Sequence, residues 1–62
     1  MKKFIAMLND GSYVNISADE MKYEGEYVFA YDHGYLVAML DVSVVLTAYI
    51  REVSENERIK HL

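Results

Sequence analysis

Asp32-His33-Gly34 sets a carboxylate beside an imidazole in a chain that has two histidines in all. An Asp–His pair can orient a general base, hold a metal ion or sense pH near neutrality. Each use needs further groups. The chain has no Cys, and no residue set supplies nucleophile, base and orienter together. His33 therefore reads as part of a polar turn, and His61 as a tail residue. The carboxylates of Asp19-Glu20 and of Glu24 and Glu26 lack the spacing and the central Gly of a calcium loop. They read as solvated turn acids. Gly11, Gly25 and Gly34 each stand alone and form no phosphate-binding pattern. We assign no catalytic residue, no cofactor and no metal ligand, and read the protein as a non-enzyme.

The six tyrosines are the other chemical resource. Tyr27 and Tyr31 alternate with Phe29, which reads as core or interface. Tyr13, Tyr35 and Tyr49 read as exposed, partner-facing rings, because Tyr joins an apolar body to a polar tip. Base stacking normally accompanies Lys and Arg. Here residues 9 to 41 hold seven carboxylates against Lys22 alone, a net −6. That sign repels phosphate backbones and suits a basic protein partner. A nucleic-acid site would have to gather Lys2, Lys3, Lys22, Arg51 and Arg58.

These side chains need a scaffold, and 62 residues allow one small domain. A chain of this length buries only about 60% of its unfolded surface. Disulfides are ruled out by the absence of Cys, which fits a reducing, cytoplasmic setting. A filled core or association must supply the stability, and 53% hydrophobic content serves either. The N-terminal apolar run stops at Asn9-Asp10-Gly11, short of a signal peptide. Tyr35 to Ile50 is too short and too interrupted, by Asp41, for a spanning helix. No membrane association is expected.

Phe4 to Leu8 and Tyr13 to Ala18 read as strands joined at Asn9-Asp10-Gly11. In the second, Val14, Ile16 and Ala18 alternate with Tyr13, Asn15 and Ser17. Asp19-Glu20 breaks this pattern as a bulge or short turn, and Met21 and Tyr23 resume it. Tyr27 to Tyr31 and Tyr35 to Leu40 flank a two-residue turn at His33-Gly34. That turn predicts Tyr31 opposite Leu36, Phe29 opposite Ala38 and Tyr27 opposite Leu40. One hairpin face is then aromatic and the other aliphatic, with Val28, Ala30, Val37 and Met39. Residues 42–53 admit a helix or a strand. Their β-branched density favours a short helical turn near 42–45 and a strand over 46–52. Ser54 and Glu57 fit a capping box before a short C-terminal helix or tail.

The layout resembles a small five-stranded antiparallel SH3-like barrel or curled sheet. We therefore expect a mainly all-β fold, with residues 1–53 as one small domain and 54–62 as a helical turn or tail. A barrel would turn the aromatic face inward, beside Val14, Ile16, Leu46 and Ile50. The wider pattern FIAMLNDGSYVNISADEM, YVFAY and LVAMLDVSVVLTAYIRE resembles small uncharacterised proteins of Gram-positive bacteria and their prophages. That resemblance implies an accessory role and transfers no site residues.

The function expected from this reading is a protein-interaction module that self-associates. Val28, Val37 and Met39 would line its surface with Tyr35 at the rim, and Tyr13 and Tyr49 would be further contacts. Alternatives are an acidic inhibitor or regulator of a nucleic-acid enzyme, and a small nucleic-acid-binding barrel.

Overall fold

The computed structural model describes residues 1–53. The expected helical turn or tail at 54–62, with Arg58 and His61, lies outside the described residues. Six strands follow one another: β1 (Lys2–Leu8), β2 (Tyr13–Ser17), β3 (Glu20–Glu24), β4 (Tyr27–Asp32), β5 (Tyr35–Asp41) and β6 (Val45–Glu52). A 3-10 turn over Val42–Val44 separates the last two. The protein is thus mainly β, as the sequence predicts. It forms two three-stranded antiparallel sheets, ordered β2-β1-β6 and β3-β4-β5, and the sheets do not close into a barrel.

The sequence predicts five strands; the sixth arises at Ala18-Asp19. The Ala18 amide donates to the Lys2 carbonyl in the first sheet, at 3.2 Å. The next amide, that of Asp19, donates to the Tyr31 carbonyl in the second sheet, at 2.9 Å. The chain therefore changes sheets within one peptide unit, and Ala18 is fully buried there.

The turns follow their local chemistry. Asp10 Oδ1 accepts the Ser12 amide at 2.9 Å, closing the β1–β2 connection. His33 and Gly34 have φ of 52° and 85°. Positive φ at both central residues is the mark of a two-residue hairpin turn matched to the twist of its strands. Asp41 caps the 3-10 turn by accepting the Ser43 amide at 2.9 Å. Strand β6 then begins at Val45, one residue before the predicted start.

Phe4, Ala6, Ala18, Val28 and Ala30 form the fully buried core. Val14, Ile16, Met21, Ala38, Leu40, Val45, Ala48 and Ile50 pack against it. Away from the bulges the strands alternate, with Phe4 and small or aliphatic side chains inward. Leu46 departs from its expected core position and is 70% exposed. The ladder between β1 and β6 shifts between Met7 and Leu8, leaving Leu46 as the extra residue of a bulge.

Candidate functional site

The β4–β5 hairpin keeps only the first of its predicted pairs. Tyr31 does face Leu36. Beyond it the register shifts, and Ala30 pairs with Ala38, Phe29 with Met39, Val28 with Leu40 and Tyr27 with Asp41. Val37 is the residue left over. Directly opposed residues share a face, so the slip exchanges partners from Ala30 back to Tyr27.

This reverses the expected orientation. Val28, expected at an interface, is 0% exposed and belongs to the core with Ala30. The aromatic face, expected in the core, points outward. Small side chains face the other sheet, where Phe4 already supplies a large buried ring. The outer face of the second sheet becomes a grid of three rows. Glu20, Tyr31 and Leu36 form one; Lys22, Phe29 and Met39 the next; Glu24, Tyr27 and Asp41 the third.

Contacts within the grid order its rings. Tyr27 and Phe29 have ring centroids 6.1 Å apart at an interplanar angle of 45°. Such tilted pairs add roughly 0.5–1.5 kcal/mol beyond area burial. Lys22 Nζ lies 5.7 Å from the Tyr31 ring centroid and 3.5 Å from Glu20 Oε1. Met39 is 56% exposed and Leu36 54%. Phe29 and Tyr31 are half-buried by their neighbours.

The remaining interface candidates divide between the two sheets. Val37 and Tyr35 are exposed on β5, and Met39 sits in the grid as described. Tyr13 and Tyr49 are exposed on the first sheet. That sheet has its own outer grid: Ser17, Lys3 and Arg51; Asn15, Ile5 and Tyr49; Tyr13, Met7 and Thr47. No single surface collects all six candidates.

A second feature lies at one end of the sheets. Asp19, Asp32 and His33 bring one ligand atom each to within 4.8 Å of one another. The His33 amide approaches Asp19 Oδ2 at 3.4 Å, and His33 Nδ1 lies 3.1 Å from Asp32 Oδ1. An open groove of about 460 Å3 beside them is lined also by Met1, Lys2, Ser17 and Glu52. The adjacent Asp32 and His33 were visible in the sequence. Asp19 joins them through tertiary structure, with no local signal. The imidazole engages a carboxylate at an exposed, polar turn.

Among the described residues the basic side chains divide between the two sheets. Lys3 and Arg51 are cross-strand neighbours on the first sheet, while Lys22 lies on the second, beside Glu20. Among the described residues no helix is long and apolar enough to cross a membrane. No protein-family model matches the chain, and neither curated proteins nor solved structures give a match.

Proposed function

We propose that the protein is a non-enzymatic, self-associating protein-interaction module whose working surface is the outer face of the second sheet. The observation that carries this reading is the row structure Tyr31/Leu36, Phe29/Met39 and Tyr27/Asp41, which sets three aromatic and two large aliphatic side chains side by side on an outward face. A contiguous apolar patch with a charged border is the usual anatomy of a contact site. Glu20, Glu24 and Asp41 provide that border. The module works in the cytoplasm, in keeping with its lack of Cys.

We also propose an SH3-like arrangement for the two sheets. The sheet switch at Ala18-Asp19 and the 3-10 turn before the last strand support it. Six strands in two open sheets depart from the five-stranded form.

The acidic border gives a second reading some support. A basic protein partner, such as a nucleic-acid enzyme held in check, would find both charge and aromatic area on this face. Direct nucleic-acid binding has less support, since Lys22 is separated from Lys3 and Arg51.

Sedimentation equilibrium of the full chain tests the principal reading. Mass should rise with concentration, and Met39→Asp should return it to the monomer with unchanged circular dichroism. A wild-type monomer up to about 1 mM, beyond the range of even weak specific contacts, overturns self-association.

A further inference from the structure

We infer that association is head-to-tail: the outer face of the second sheet in one copy receives the outer face of the first sheet in the next. This rests on the self-association reading above and adds the identity of the opposing surface.

Charge argues for it. The second-sheet grid carries Glu20, Glu24 and Asp41 against Lys22, a net −2. The first-sheet grid carries Lys3 and Arg51, the latter with an interaction of its own, and no Asp or Glu among its nine positions. A two-fold dimer of second-sheet faces would set one net −2 surface against another. Like charges opposed across an interface cost affinity and select against that pairing. The heterologous pairing sets acid against base instead.

The apolar content matches as well. Ile5 is central in the first-sheet grid, between Asn15 and Tyr49, and Met7 lies between Tyr13 and Thr47. Tyr13, Met7 and Tyr49 are all exposed. They would meet Phe29, Met39, Tyr27 and Leu36. Tyr and Met are enriched at such contacts because they offer large area and adaptable packing.

Size sets the strength. Three strands by about six residues span roughly 14 × 20 Å, small beside the ~800 Å2 per partner of a standard interface. Each junction is therefore weak. Different faces are used on the two sides of each copy, so junctions repeat until a ring closes or a filament grows.

The test uses two full-length variants, each blocked on one face. Ile5→Asp blocks the first-sheet face, and Met39→Asp blocks the second. Analytical ultracentrifugation over about 10 μM to about 1 mM spans weak to moderate contacts. Wild type should assemble beyond the dimer at low salt. Each variant alone should be a monomer, and an equimolar mixture should form a 1:1 heterodimer and stop there. Its Kd should weaken roughly tenfold between low and high salt. If Ile5→Asp does not fold, Tyr49→Asp blocks the same face from an exposed position.

An Ile5→Asp variant that still dimerises by itself overturns the head-to-tail arrangement and leaves self-association standing. A mixture that stays monomeric while wild type assembles does the same. A wild-type monomer throughout removes both.

Discussion

Ala18 and Asp19 are consecutive, yet their amides donate to different sheets, one to Lys2 and the other to Tyr31. The side chain at the crossing is a methyl group with no exposure. A larger residue must push the sheets apart or leave its rotamer minimum. Ala18→Leu should cost about 1–3 kcal/mol, as overpacking of a filled core does. Urea unfolding checks this; a variant as stable as wild type would show that the crossing has slack.

Val28 and Met39 are both apolar and lie one row apart on the same hairpin, but on opposite faces. Val28→Ala removes two buried methyl-sized groups and should cost about 2 kcal/mol, at ~0.8 per group plus a cavity term. Met39→Ser removes a side chain already 56% exposed and should change stability by less than about 0.5 kcal/mol. Association should respond the other way round, with Met39→Ser weakening it. Thermal unfolding and sedimentation on the two variants give the contrast.

Val37 is the surplus residue of the β5 bulge. Deleting it leaves every other pair of the hairpin opposite its present partner, so Ala38 and Leu40 stay inward. Deleting Met39 instead moves Leu40 by one position, toward the outer face, because side-chain direction alternates with period two. The Val37 deletion should fold cooperatively; the Met39 deletion should not. Near-identical melting curves for the two would contradict the assigned register.

Asp10 and Asp41 are both held below their ordinary value of 3.8, chiefly by hydrogen bonds from Ser12 and Ser43 respectively. A lowered folded-state pKa means that the ionised form favours folding. The contribution is present above the ordinary value and is lost as pH falls through the lowered one. The double variant Asp10→Ala/Asp41→Ala should melt below wild type at pH 7. The gap should narrow as pH falls below the ordinary value of 3.8 and both carboxylates gain their protons. A gap independent of pH would assign the loss to the turns' backbone preferences instead.

Much of this architecture can be read from the chain. Asn9-Asp10-Gly11 and His33-Gly34 mark their turns because Asx hydrogen bonding and positive φ are local demands. Strand β2 is equally plain, since Val14 and Ile16 alternate with polar neighbours. The hairpin faces are not readable in the same way. Both sides of Tyr27–Asp41 are apolar, and a hydrophobic pattern fixes register only when one side is wet. Nothing in Leu36-Val37-Ala38 announces a bulge, yet that single extra residue decides whether Val28 or Phe29 goes inside. The preference for small side chains inward depends on Phe4, on another strand, and no window of sequence contains both. Asp19 beside Asp32 and His33 is hidden for the same reason.

Among the described residues, three of the five that are fully buried, Ala6, Ala18 and Ala30, carry only a methyl group. Two ribbons held together through so shallow a filling form a laminate, not a vessel. The recognition proposed above would take place on its skin, by area and charge, through residues that the laminate does not need in order to stand.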